Sequence, residues 1–207
     1  MSYTKEMCFY LLENKQLIEG ESLTDYVEKM VFKAINTAVS KRLGERTPWR
    51  TRFALVTEDE DGNDDTIFAP LDWPKKPGNG DLVMFRLWEN DKDINDYWLA
   101  HALGVNDGAL CFDFWMDGRP SGPSKYKIKQ LMEAFLKEND ALQKAGFQYH
   151  QRGTIFLPFT LDAKAVAQEF PDLKKSLEPM TTALETVLKL MPEFDKFVKG
   201  LMSPTKL

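Results

Sequence analysis

The stretch that decides the fold runs from Tyr97 to Met116 and reads YWLAHALGVNDGALCFDFWM. Two apolar runs, Tyr97–Leu103 and Ala109–Met116, flank Gly104-Val105-Asn106-Asp107-Gly108, which has the composition of a tight turn. We therefore predict that the two runs are strands joined as a β-hairpin. Strands joined by so short a connection are antiparallel, so the sheet that contains them is expected to be antiparallel as well.

The predicted hairpin has two different faces, because successive side chains of a strand point to opposite sides. One face carries Leu99, His101, Leu103, Leu110, Phe112, Phe114 and Met116, which is core material with one histidine. The other carries Trp98, Ala100, Ala102, Cys111, Asp113 and Trp115. Two indoles beside small residues and a carboxylate could hold a flat ligand or a partner, which makes Trp98, Asp113 and Trp115 candidate binding residues. The alternative is a second core layer beneath a helix.

Strand-like and helical segments continue the pattern on both sides of this stretch. Short apolar runs predict strands at Arg52–Thr57, Thr66–Ala69, Leu82–Trp88 and Thr154–Phe159. Helical spacing of apolar residues predicts helices over 23–43, 124–146 and 162–170. After Leu173 the apolar residues follow steps of four and three, and Pro179 and Pro192 should divide this tail into short helices.

These elements predict an α+β fold, a mostly antiparallel sheet packed by helices with a helical C-terminal tail. We expect a single domain over residues 1–207. Residues 1–45 form an N-terminal helical segment, 46–160 the sheet with one long inserted helix, and 161–207 the C-terminal helices.

The composition is that of an ordinary globular protein. Of the 207 residues 43% are hydrophobic and 29% are charged, so a sizeable core can form without a metal or a disulfide. Cys8 and Cys111 are the only cysteines and have no metal-ligand spacing, which indicates reduced thiols and a cytoplasmic protein. No run of 18 apolar residues occurs, so no membrane partner is expected. The net charge of −5 gives no general attraction to nucleic acid.

No catalytic or metal-binding motif fits this sequence, because the required residues stand at the wrong spacing or on opposite faces of a strand pair. The acidic segment 58–65 resembles an EF-hand calcium loop, which needs glycine at its sixth position and glutamate at its twelfth. If Gly62 is placed at the sixth position, the first position is Thr57 and the twelfth is Phe68, so the template fails at both ends. Asp162-Ala163-Lys164 fits part of a nuclease motif, yet it stands where a helix begins, so Asp162 is better explained as a cap. In the predicted hairpin His101 and Cys111 lie on opposite faces. We therefore assign no catalytic residue, no metal ligand and no cofactor.

A basic group precedes the helix predicted at residue 124. Arg119, Lys125 and Lys127 lie in or next to the glycine- and proline-containing segment 118–124, where backbone donors at a helix start could hold a phosphate. Arg46, Arg50 and Arg52 add positive charge elsewhere. Nucleic-acid binding is not favoured, because the acidic segment 58–65 should repel a polyanion.

The sequence therefore predicts a non-enzymatic binding or protein–protein interaction protein, whose partner is another protein or a second copy of the chain. The alternatives are a metal-dependent phosphodiesterase or nuclease, with carboxylates that meet only in three dimensions, and a nucleic-acid-binding protein. Asp113, Trp98, Trp115, Arg119, Lys125 and Lys127 are the candidate site residues.

Overall fold

The computed structural model describes residues 4–13, 21–44, 48–53, 66–75, 81–90, 98–117 and 124–202. In these residues the helices are α1 Lys5–Glu13, α2 Glu21–Gly44, α3 Trp98–Ala102, α4 Lys125–Glu138, α5 Asp140–Lys144, α6 Ala163–Glu169, α7 Glu178–Lys189 and α8 Met191–Met202. The strands are β1 Trp49–Phe53, β2 Thr66–Pro70, β3 Val83–Asn90, β4 Ala109–Met116, β5 Gln148–His150 and β6 Thr154–Phe159.

The six strands form one sheet in the order β1-β2-β3-β4-β6-β5, and every neighbouring pair is antiparallel. This confirms the predicted α+β class with a mostly antiparallel sheet. β4 lies in the middle of the sheet, where its eight residues pair with the eight residues of β3.

The inner face of the sheet packs against the C-terminal helices through a cluster of aromatic rings. Phe194 of α8 is fully buried, and its ring centroid lies 4.9 Å from that of Phe85 and 4.8 Å from that of Phe114. Phe194 also contacts the rings of Phe135 of α4 and Phe147. This aromatic part of the core therefore lies between β3 and β4 on one side and the helices α4 and α8 on the other, and α2 and α7 contribute further buried residues to the same core.

Local sequence signals set the helix ends. The Ser124 side chain accepts a hydrogen bond from the Lys127 backbone N–H, which caps α4. Asn139 ends α4 and caps α5, so the long helix predicted over 124–146 is two helices. Asp162 accepts from the Ala165 N–H, which confirms its interpretation as a cap.

The C-terminal tail divides into helices as its prolines predict. Pro179 and Pro192 each stand at the second residue of a helix, where a missing N–H costs no helical hydrogen bond. The apolar residues with heptad spacing are all buried in this chain's own core: Leu173, Leu177, Met180, Leu184, Val187, Met191, Phe194 and Val198. The spacing thus serves internal packing.

The hairpin predicted from Tyr97–Leu103 is wrong. Trp98–Ala102 is the short helix α3, and the strands that flank β4 are β3 and β6. The first helical N–H groups need an acceptor, and the Glu28 side chain of α2 accepts a hydrogen bond from the Leu99 N–H at 2.7 Å. A short and almost continuous apolar run such as residues 97–103 does not distinguish a strand from one turn of buried helix. Contacts with α2 decided the outcome.

Gly108 is required by close packing on α3. A Cβ atom there would lie 2.5 Å from His101 Nδ1 and 2.9 Å from the Val105 carbonyl oxygen. His101 is buried, as expected, but on a helix. The acidic segment 58–65 and Arg119 lie outside the described residues. No helix in the described ranges is both long and apolar enough to cross a membrane.

Candidate functional site

The outer face of the sheet carries polar and aromatic side chains in its centre. Pairing of β3 with β4 and of β4 with β6 sets Arg86 opposite Asp113 and Asp113 opposite Phe156. By alternation along each strand, this face holds Met84, Arg86, Trp88, Cys111, Asp113, Trp115, Thr154 and Phe156.

An ion pair lies at the centre of this outer face. Arg86 Nε donates to Asp113 Oδ2 at 2.9 Å, and the two side chains are 19% and 3% exposed. The Thr154 side chain also hydrogen-bonds the Asp113 carboxyl. Burial raises the pKa of Asp113 above its ordinary value, and Arg86 and Thr154 offset that rise only in part.

The Arg86 guanidinium lies between two indole rings. Its central carbon is 4.0 Å from the ring centroid of Trp88 and 5.3 Å from that of Trp115. Both distances fall in the range of cation–π attraction. Arg86 is therefore held by a carboxylate and by two aromatic rings, which fixes its orientation.

A shallow depression opens over this group. It spans about 250 Å³ including open solvent. Trp88 at its border is 39% exposed, a large fraction for an indole in a sheet. The side chains that line the depression come from four strands and one turn: Arg86, Trp88, Glu89, Asn90, Cys111, Asp113, His150, Arg152, Thr154 and Phe156.

The turn between β5 and β6 brings His150 and Arg152 to one end of the depression. His150 Nδ1 accepts a hydrogen bond from the Arg152 N–H at 3.0 Å, and Gly153 at φ +95° completes the turn. Burial and the Arg152 charge lower the pKa of His150. At neutral pH the imidazole is therefore uncharged, with its proton on Nε2.

The Cys111 thiol in the depression is not set up as a nucleophile. Its Sγ–H donates to the Trp88 carbonyl oxygen at 3.3 Å. Burial, and next the Asp113 charge, raise the pKa of Cys111 well above its usual value. The thiolate is the reactive form of cysteine, so this thiol is unreactive near neutral pH.

The structure brings together only part of the residue set predicted from the sequence. Asp113 and Trp115 both lie on the outer face. Trp98 does not share that face, because it belongs to α3 and packs edge-on against Phe32 of α2 at 5.5 Å. The assignment of Trp98 and Trp115 to one face is therefore wrong, and its cause is the strand wrongly predicted at 97–103.

The predicted basic residues are dispersed. Lys125 and Lys127 are exposed in the first turn of α4, which packs near β5 and β6 at one edge of the sheet. Arg50 lies in β1 at the other edge. Its guanidinium bonds the Asp81 carboxylate and the carbonyl oxygens of Leu71 and Trp73, so it serves to hold the segment after β2.

Sequence reasoning missed Arg86, Trp88, His150 and Arg152. Arg86 is a charged residue in the middle of the apolar run Leu82–Trp88, and this was a usable signal. A buried arginine needs a carboxylate partner, and Asp113 is a carboxylate within another apolar strand. His150 and Arg152 gave no comparable signal, since β5 has only three residues.

Within the described part of the chain, no three histidine, cysteine, aspartate or glutamate side chains converge in a way that could hold a metal ion. Comparison with protein-family models, with curated proteins and with solved structures finds no match to this chain. The function must therefore be argued from the outer face itself.

Proposed function

We propose that this chain is a binding protein and that the depression over Arg86 is its ligand site. The observation that carries the proposal is the fixed guanidinium of Arg86, held by Asp113 and two indoles on a face that opens to solvent. A group that is already ordered loses little further entropy when a ligand arrives, so such a site gains affinity from its rigidity.

The chemistry of the same groups supports binding without turnover. The candidate nucleophile Cys111 is held protonated, and the carboxyl of Asp113 is occupied by Arg86 and Thr154. Nucleophilic catalysis needs a base within hydrogen-bond reach of the attacking group. Cys111 donates instead to a backbone carbonyl, which cannot take its proton.

The test is equilibrium dialysis against a defined metabolite mixture, read by mass spectrometry. We expect at least one compound to concentrate with the wild-type protein and to be recovered unchanged after prolonged incubation. The variant Trp88→Ala/Arg152→Glu should lose that enrichment. The matched variant Tyr126→Ala/Lys125→Glu changes an exposed aromatic and an exposed cation on α4 and should retain it.

Two results would contradict the proposal. Equal enrichment by the wild type and the Trp88→Ala/Arg152→Glu variant would place the ligand site elsewhere. Conversion of the bound compound to a product, in proportion to protein concentration, would make the chain an enzyme.

A further inference from the structure

We infer that the depression takes a small planar ring that carries an oxyanion group, a phosphate ester or a carboxylate. This inference rests on the proposed function and names the chemical class of its ligand. It combines three features of the outer face: an exposed aromatic surface, an excess of hydrogen-bond donors, and limited room.

The aromatic surface is Trp88. Arg86 stacks on the ring at 4.0 Å, yet 39% of the residue stays exposed. A ligand ring can stack on the open part of the indole, an arrangement in which flat heterocycles gain affinity without a sequence of specific hydrogen bonds. The guanidinium beneath the indole holds it in place for that contact.

The donors come from Arg86, Arg152 and His150. Arg86 uses Nε for Asp113, and among the described residues its two Nη groups have no hydrogen-bond partner. The side chain of Arg152 is exposed and makes no hydrogen bond or ion pair with another described residue. His150 accepts through Nδ1, so its Nε2–H is a third donor. Guanidinium groups pair with carboxylate and phosphate oxygens in bidentate fashion, and this set therefore selects an oxyanion.

The charge balance places the oxyanion at one end of the depression. Asp113 neutralises Arg86. Arg152 and Lys129, whose side chain packs against Gly153, both lie close enough to His150 to lower its pKa. The excess positive charge is therefore concentrated at the turn between β5 and β6, where an anionic group is favoured.

The size of the depression agrees with a small ligand. The space of about 250 Å³ between its lining residues includes open solvent, so the enclosed part is much smaller. A small anionic group can enter it, while the ring lies on the open surface of the indole. Two sources supply this chemistry, nucleoside monophosphates and aromatic carboxylates.

The experiment is isothermal titration of the full chain with five probes: AMP, adenosine, inorganic phosphate, indole-3-carboxylate and a single-stranded oligothymidylate. We expect AMP or indole-3-carboxylate to bind at least about tenfold more tightly than adenosine and than inorganic phosphate, because only they supply both the ring and the oxyanion. The stronger of the two identifies the source.

Variants then assign the contacts. Trp88→Ala and Arg152→Glu should each weaken the preferred probe on the order of tenfold, whereas Trp88→Phe should restore most of the affinity. Tyr126→Ala and Lys125→Glu should leave it unchanged. Circular dichroism of each variant shows that it is folded, so that a loss of binding can be read as a lost contact.

Several outcomes would overturn the inference. If neither AMP nor indole-3-carboxylate binds at millimolar concentration, or if adenosine or inorganic phosphate alone binds equally well, the ligand class is wrong. Tighter binding of the oligothymidylate, with steep dependence on salt, would make this face a nucleic-acid surface. If equilibrium dialysis still enriches another compound, and the Trp88→Ala/Arg152→Glu variant loses that enrichment, the proposed binding function stands and only the ligand class is wrong. If AMP binds equally well to Trp88→Ala and to Arg152→Glu, both the ligand class and the proposed site are wrong.

Discussion

Arg86 Nε lies 2.9 Å from Asp113 Oδ2, on two central strands whose register sets these residues directly opposite each other. This pair is the polar centre of the outer face. Arg86 serves both stability and the proposed binding function. Its guanidinium neutralises a buried carboxylate and also supplies hydrogen-bond donors to the depression.

Replacing Arg86 by Met should destabilise the fold by about 3 kcal/mol, because it leaves the buried Asp113 charge without its partner. Arg86→Met/Asp113→Leu should cost less than Arg86→Met alone, since neither partner then remains buried as an unpaired charge. Urea denaturation of the three variants measures the difference. A double variant that is no more stable than Arg86→Met would show that the ion pair is not the cause.

The Asp113 carboxyl should make stability fall as pH rises. Its pKa in the folded chain is raised, so between its ordinary value of 3.8 and the folded value the native state keeps a proton that the unfolded state has released. The free energy of unfolding therefore decreases with pH across that window. In Arg86→Met the window should extend to higher pH, because the lowering effect of the guanidinium is lost. Urea titrations across this range test the prediction, and a window unchanged in the variant would contradict it.

Gly108→Ala should destabilise the chain by about 1–3 kcal/mol, through overpacking against His101 and the Val105 carbonyl. The φ of −64° at this residue suits any amino acid, so strain in the backbone is not the reason. Gly108→Ala/His101→Ala should be more stable than the sum of the single effects implies, because the second change removes the nearest atom. Strict additivity of the two effects, measured by thermal or urea unfolding, would exclude this contact as the cause.

Glu169 should contribute stability that disappears in acid. Its Oε2 accepts hydrogen bonds from the Lys174 and Ser176 N–H groups and from the Ser176 hydroxyl, which lowers the pKa of Glu169 to about 2. The contribution is complete above the ordinary pKa of 4.5 and is lost as pH falls towards about 2. The wild type and Glu169→Gln should therefore differ in stability at neutral pH and converge in this range. Parallel stability curves down to pH 2 would contradict this assignment.

The parts of the fold that local sequence determines were predictable, and the site was predictable only in part. Periodicity located α2, and prolines located the starts of α7 and α8, because these signals lie within the elements themselves. Asp113 stood out as a charge in an apolar strand. Arg86 carried the same signal, but its significance depends on β3 being the neighbour of β4, and the sequence suggested residues 97–103 in that place.

Contacts between residues far apart in the sequence decide which strand lies next to β4. Consecutive apolar runs usually pair, but α3 is held out of the sheet by the Glu28 hydrogen bond from α2 and by the contact between Trp98 and Phe32. Both partners are about 70 residues away in the sequence. Alternation within one segment contains no information about such contacts.

The most direct test of the binding site is a nuclear magnetic resonance titration of ¹⁵N-labelled protein with whichever of AMP and indole-3-carboxylate binds more tightly, following the indole Nε1–H and arginine Nε–H signals. The account predicts that the signals of Trp88, Arg86 and Arg152 shift together along one saturable curve. The signals of Trp98 and of Trp73, whose Nε1–H donates to Asp195 at 2.6 Å, should stay in place. Saturable shifts at Trp73 or Trp98 with none at Trp88, or no saturable shift at all, would contradict it.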